Sequence, residues 1–148
     1  MDSSGIHLWL VLMKAYRTLA RHARYSIEPS GLGASDFAIL ELLLHRGEQP
    51  VNAIGRRVDL TSGAITSAVD RLEAQGLVVR SADAEDRRTR IVSLTPKGAA
   101  RIRKVFAVHK RTIEGVTSSL TKAERETLID LIKKLGKDAE KQLARGSG

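Results

Sequence analysis

The sequence predicts a mostly helical chain carrying one small β-hairpin, and three observations support this. Apolar residues recur at helical spacing through most of the 148 residues. Two short helical patterns stand almost end to end around Asp59-Leu60. Between Leu77 and Leu94, two short runs of apolar and β-branched residues flank a polar tip, as in a hairpin. A helix-turn-helix followed by a two-stranded wing, with long helices on either side, is the architecture that results.

The first helix runs from Ile6 to about Ile27 without a proline, with Trp9, Leu12, Met13, Tyr16 and Leu19 as its apolar stripe and Arg17, Arg21 and Arg24 between them. Pro29-Ser30-Gly31 ends it. A second helix is expected from about Asp36 to His45, capped by Ser35, with Phe37, Leu40, Leu43 and Leu44 inward. Arg46-Gly47-Glu48-Gln49 reads as a loop. Pro50 suits the first turn of a short helix whose apolar side is Val51, Ile54 and Val58 and which ends near Asp59. Thr61 is the expected N-cap of the next helix, where Ile65, Ala68, Val69 and Leu72 form one buried stripe. Gln75-Gly76 looks like its C-cap. The wing then runs out along Leu77-Val78-Val79 and returns along Ile91-Val92-Ser93-Leu94. Thr95-Pro96 supplies both a cap and a first-turn proline for a helix carrying Ile102, Val105, Phe106, His109, Ile113 and Val116, which ends at about Ser118. Thr121 and Glu124 fit a capping box for a last helix bearing Leu128, Leu131, Ile132, Leu135 and Leu143.

The domain reading is one domain over 1–148, with a reading lobe at 34–95, dimer-forming helices at 6–28 and 96–144, and a flexible tail at 145–148. The long helices carry more apolar surface than a small lobe needs to cover itself. Two-fold dimerisation through the first, fifth and sixth helices is the economical expectation.

Opposite its apolar stripe, the helix after Thr61 carries Ser62, Gly63, Thr66, Ser67, Asp70 and Arg71, which are small, hydroxylated or charged. Short donors and acceptors of this kind can approach base edges in a major groove while the stripe anchors the helix. The hairpin gathers Arg87, Arg88 and Arg90, and a basic hairpin can place an arginine in a minor groove. Asp86 is the expected partner holding a guanidinium there through a bidentate pair. The charge agrees, since 25 Lys plus Arg against 17 Asp plus Glu give +8 and a polyanionic partner is favoured. Nucleic acid ranks first, ahead of an anionic membrane or an acidic protein.

Other classes find little support. The chain has no cysteine, which excludes disulfides, thiolate nucleophiles and zinc-thiolate sites. His7, His22, His45 and His109 are scattered, with no His-Glu-x-x-His and no glycine-rich phosphate loop, so no catalytic residue, metal site or cofactor is expected. No apolar run approaches about 18 residues and no cleavable signal pattern is present, so no membrane partner is expected and the expected compartment is the cytoplasm.

The chain resembles the multiple-antibiotic-resistance regulator (MarR) family of bacterial winged-helix transcription factors. The likeness rests on Leu60-Thr61-Ser62-Gly63-Ala64-Ile65-Thr66, Val69-Asp70-Arg71-Leu72-Glu73 and Gly76-Leu77-Val78. It continues through Asp86-Arg87-Arg88 and Val92-Ser93-Leu94-Thr95-Pro96-Lys97-Gly98, and reaches upstream to Phe37-Ala38-Ile39-Leu40-Glu41-Leu42-Leu43. The wing pattern Asp-x-Arg, then Leu-Thr and Gly, is its specific part. The resemblance implies a dimer built from the N- and C-terminal helices, each subunit offering one winged helix to a pseudo-palindromic site. Carried over by motif, Ser62, Gly63, Thr66, Ser67 and Arg71 lie along the groove face, and Arg88 is the minor-groove arginine held by Asp86. The Leu-Thr-Ser-Gly-x-Ile-Thr run looks like the subgroup that responds to quinones and other aromatic compounds.

The resemblance also implies a small-molecule pocket between the dimer-forming helices and the winged helix. By position, its candidate lining is Trp9, Tyr16, Arg17, His22 and Tyr25 on the first helix, Phe37 on the second, and Phe106 and His109 on the fifth. Aromatic faces with a few polar tips suit a phenol or quinone. The alternatives are a non-specific nucleic-acid-packing protein, a winged helix used for protein assembly, and a metal-responsive regulator. The Asp86-x-Arg88 wing and the small polar helix face favour sequence-specific regulation over these.

Overall fold

The computed structural model describes residues 2–146. Among them the order is α1 (Gly5–Ile27), a 3-10 turn (Glu28–Ser30), α2 (Ala34–Arg46), β1 (Gln49–Pro50), α3 (Val51–Arg57), α4 (Ser62–Ala74), β2 (Val78–Ala82), β3 (Arg90–Leu94), α5 (Pro96–Val116) and α6 (Lys122–Gly146). The chain divides into two compact units, residues 1–113 and 114–148.

Most helix ends lie where the sequence places them. Thr61 is extended and its hydroxyl accepts the Ala64 N–H at 3.2 Å, capping α4 as its side chain predicts. Gln75 closes that helix and Gly76 takes φ +71, a left-handed conformation that glycine adopts without steric cost. The turn between α3 and α4 is tight: Leu60 N–H donates to Gly55 O at 2.9 Å across Asp59, which is itself left-handed at φ 55. Aspartate is among the few residues that tolerate that region.

Three expectations need correction. Ser35 does not cap α2: the helix starts at Ala34 with Gly33 extended before it, and Phe37 N–H bonds Gly33 O at 2.9 Å. Ala34 is a strong helix former, and it extends the helix past the hydroxyl. Gln49 and Pro50 are neither loop nor helix, since they pair with Val92 and Ile91 as a third strand in the sheet order β1-β3-β2. Two residues are too few to show alternation in a sequence, and proline, lacking an N–H, is tolerated at a sheet edge. Arg145 and Gly146 continue α6 where a tail was expected, because Gln142, Leu143 and Ala144 favour helix. The last two residues of that expected tail, Ser147 and Gly148, lie outside the described residues.

Within the first unit the core gathers one apolar stripe from each element. Ile39 and Leu40 of α2, Ile54 of α3, Ile65, Val69 and Leu72 of α4, Val78 of β2, Val92 of β3 and Ile102 of α5 are all fully buried, with Leu77 among them. Each large aliphatic side chain buried in this way contributes about 1.5–3 kcal/mol, so α4 is anchored by its inner face and free on the outer one.

In the second unit, Thr121 and Glu124 form the expected capping box. Thr121 N–H donates to Glu124 Oε2 at 2.7 Å, and Glu124 N–H to the Thr121 hydroxyl at 3.3 Å. These bonds from Thr121 hold the Glu124 carboxyl below the ordinary carboxylate range. Arg125 Nη1 pairs with Glu114 Oε2 at 2.6 Å. No residue of α6 is buried, and Leu128, Ile129, Leu131, Ile132, Leu135 and Leu143 are exposed.

Candidate nucleic-acid interface

The outer face of α4 and the wing form the two walls of one open groove. Ser62, Thr66 and Asp70 of α4, Arg80 of β2, and Arg88, Thr89 and Arg90 of the wing line it, with Asn52 and Arg56 from α3. Of the nine residues the sequence singled out for DNA, the groove brings together Ser62, Thr66, Arg88 and Arg90. Gly63 and Ser67 are exposed on α4, and Asp86 and Arg87 are exposed at the wing tip, outside that lining. Thr66 donates its hydroxyl to Ser62 O at 2.9 Å, which leaves its oxygen lone pairs and its methyl for the groove.

Asp86 acts on the backbone. Its carboxylate accepts the Arg88 N–H at 3.0 Å and the Thr89 hydroxyl at 3.2 Å, and its carbonyl accepts the Thr89 N–H at 3.0 Å. The expected bidentate pair with the Arg88 guanidinium is replaced by a turn clasp. The reason is geometric: a carboxylate two residues ahead reaches a backbone N–H more readily than the end of a long side chain. Arg88 is thereby left exposed with its guanidinium free of Asp86.

Arg71 points elsewhere than the groove. Its Nη2 lies 2.8 Å from Oδ1 of Asp36, an α2 residue that is only 8% exposed. The pair ties α4 to α2. Arg71→Ala leaves a buried carboxylate unpartnered, and the expected loss in urea unfolding is about 1–2 kcal/mol, discounted for the half-exposed arginine. Unchanged stability with weakened DNA binding would instead return Arg71 to the reading face.

The structure also supplies a residue the sequence reading missed. Arg80 on β2 reaches back to α4, pairing with Asp70, with Glu73 Oε1 at 3.2 Å and with Thr66 O at 3.5 Å. In an arginine-rich stretch, one more arginine on a strand gives no signal of its own; only the approach of β2 to α4 reveals its partners.

The aromatic candidates separate into two groups. Phe37 and His109 have ring centroids 5.0 Å apart, and Phe106 and His109 6.2 Å apart. His45, which the sequence reading did not choose, meets Phe106 edge-on at 4.6 Å. Ser26 Oγ lies 2.9 Å from His109 Nδ1 and 2.6 Å from Ala23 O. When that hydroxyl donates to Ala23, Nδ1 of His109 carries a proton and donates to Ser26. Trp9 and Tyr16 are 56% and 62% exposed on α1, and Arg17, His22 and Tyr25 are exposed too. Arg24 lies over the Tyr25 ring at 5.2 Å. Hydrogen bonds from Arg21 and then Arg24 hold the Tyr25 hydroxyl below the ordinary phenol range. Among the described residues, no group of three His, Asp or Glu side chains is placed to hold a metal ion.

Comparison with known proteins identifies the family. A sequence model of the MarR family matches residues 32–89, which span α2 to the wing tip. The HTH-type transcriptional regulator MhqR of Bacillus subtilis is 36% identical over 140 residues, covering 95% of this chain and 97% of that protein. The chain belongs to the MarR family. It is a DNA-binding transcriptional regulator with the winged-helix fold of that family. The MarR-family fold extends well beyond the matched segment. The transcriptional regulator BldR of Sulfolobus solfataricus superposes with a TM-score of 0.77 at 30% identity, covering 93% of this chain and 99% of that one. A mutant MarR from E. coli, solved in complex with operator DNA, superposes with a TM-score of 0.76 at 25% identity, covering 88% and 94%. No helix among the described residues is long and apolar enough to cross a membrane.

Proposed function

We propose that a homodimer of this chain represses transcription by binding a pseudo-palindromic operator, and that a small aromatic compound of the phenol or quinone class releases it. The groove carries the reading. It sets a small, hydroxylated helix face, Ser62 and Thr66, beside Arg88 and Arg90 of the wing. α4 lies in a major groove with Ser62, Gly63, Thr66 and Ser67 at base edges and phosphates, while Arg88 enters the adjacent minor groove. Arg87 and Arg90 add phosphate contacts, and Asp86 serves by shaping the turn. The operator-bound MarR of similar fold supports the docking mode.

Dimerisation is supported by unpartnered apolar surface. Ile6, Leu8, Trp9, Leu10 and Val11 on α1 are each more than half exposed, and α6 carries an exposed leucine-isoleucine row. Such surface on a soluble protein marks an interface, and a second copy with two-fold symmetry covers it without leaving a free edge. The two α4 helices then enter successive major grooves about 34–36 Å apart. Phe37, Phe106 and His109, already grouped, are the effector contacts favoured within the chain, with Ser26 and His45 beside them. An effector acts here by preferring a dimer geometry that spaces the two reading heads wrongly for DNA.

The test is equilibrium binding to a duplex from the region upstream of the gene and to a scrambled duplex, at two salt concentrations. Preference for the native duplex by about a thousandfold, with one dimer per inverted repeat, is the expected result. Equal binding that falls along one steep salt line would give the reading to non-specific packing. Sedimentation at micromolar concentration is expected to show a dimer, and a monomer there would remove the symmetric model. Operator affinity unmoved by phenols and quinones would remove the effector.

A further inference from the structure

We propose that Arg80 is a positioning residue that locks the wing onto the recognition helix, so that Arg88 is held at the angle its groove requires. This rests on the DNA-reading role given above to α4 and the wing. The Arg80 side chain lies along α4 for about two turns, reaching Asp70, Glu73 Oε1 at 3.2 Å and Thr66 O at 3.5 Å. Its own backbone N–H donates to Glu73 Oε2 at 3.0 Å, so Glu73 grips the strand and the guanidinium together. The Arg80 side chain is only 24% exposed, against 60% for Asp70 and 40% for Glu73, so the arginine is the covered centre of the network.

Two physical consequences follow from that geometry. A hairpin joined to its lobe at one end pivots about its base, and a small rotation there displaces the tip. Arg80 on β2 pairs with Val92 on β3 and so clamps both strands of the wing to α4, on the side facing the groove that Arg88 also lines. In addition, Asp70 and Glu73 are two negative charges on the helix that approaches DNA, and Arg80 compensates both. A planar guanidinium with several donors can hold two carboxylates and a carbonyl at once, which a lysine ammonium on a flexible stem does poorly.

The experiment combines a mutant cycle with a readout that needs no DNA. Because the chain has no cysteine, Glu85→Cys takes a single dye at the wing tip. Time-resolved anisotropy of the free protein should show wider wing motion in Arg80→Ala, and Arg80→Lys should not restore it, with circular dichroism and melting confirming that the lobe is folded. On operator DNA, Arg80→Ala is expected to weaken binding by about tenfold, and Arg88→Ala added to it to cost less than about twofold more. Multiplicative losses, or unchanged tip motion, would overturn the proposal and make Arg80 an independent phosphate contact. If Arg88→Ala alone has no effect on operator binding, the reading role of the wing fails, while the anisotropy still decides whether Arg80 holds it.

Discussion

Arg88→Ala is expected to weaken operator binding by about ten- to a hundredfold, measured by fluorescence anisotropy at fixed salt, with a much smaller loss on scrambled DNA. An arginine in a narrow minor groove gains from its negative potential, and that gain depends on sequence because groove width does. The wing delivers this side chain exposed and without Asp86 on its guanidinium. Arg88 therefore has little internal pairing to lose on binding. Asp86→Ala should reproduce part of the loss by releasing the Arg88 N–H and the Thr89 hydroxyl, and the two substitutions together should be less than additive. Equal losses for Arg88→Ala on both duplexes would reduce Arg88 to a phosphate contact. The salt slope would then fall by about one unit with no change in sequence preference.

The largest effect on stability is expected from Gly98→Ala. A Cβ at position 98 would collide with the backbone carbonyl of Leu77, and a carbonyl in a core strand junction cannot move aside as a side-chain tip can. That carbonyl is already fixed, accepting the Thr95 N–H at 3.0 Å. The Thr95 hydroxyl donates to Gly76 O at 2.6 Å and accepts the Gly98 N–H at 3.0 Å, so the base of the wing and the first turn of α5 form one knot. Forcing a methyl into it should cost about 3 kcal/mol, lowering the melting temperature by about 10 °C. DNA binding should be lost at a correspondingly lower temperature, as the fold melts. A variant that melted like the parent would show that α5 can shift away from Leu77 without consequence.

Local chemistry made much of this protein legible. Capping residues and apolar periodicity act within one or two turns of chain, so Thr61, Gly76, Thr95-Pro96 and the Thr121–Glu124 box declared their elements in the sequence. The wing motif likewise placed Asp86, Arg88 and Gly98 together in one signature. The local features that the sequence misplaced were the Ser35 cap, which Ala34 overrides by starting α2 earlier, the end of α6, and β1, whose two residues form a strand only because β3 is there to pair with them.

What the sequence by itself determined is the helix-turn-helix, the hairpin, the long flanking helices and the basic, hydroxylated outer face shared by α4 and the wing. Only the tertiary structure decided what the charges do. Arg71 finds Asp36 across 35 residues and Arg80 finds Asp70 across ten, while Asp86 turns to its own backbone and leaves Arg88 free. The physical reason is that a side chain's role follows from which partner the packed core brings within hydrogen-bond reach. Apolar spacing fixes which face of each helix is buried, but the approach of α2 and β2 to α4 exists only once several such faces share one core.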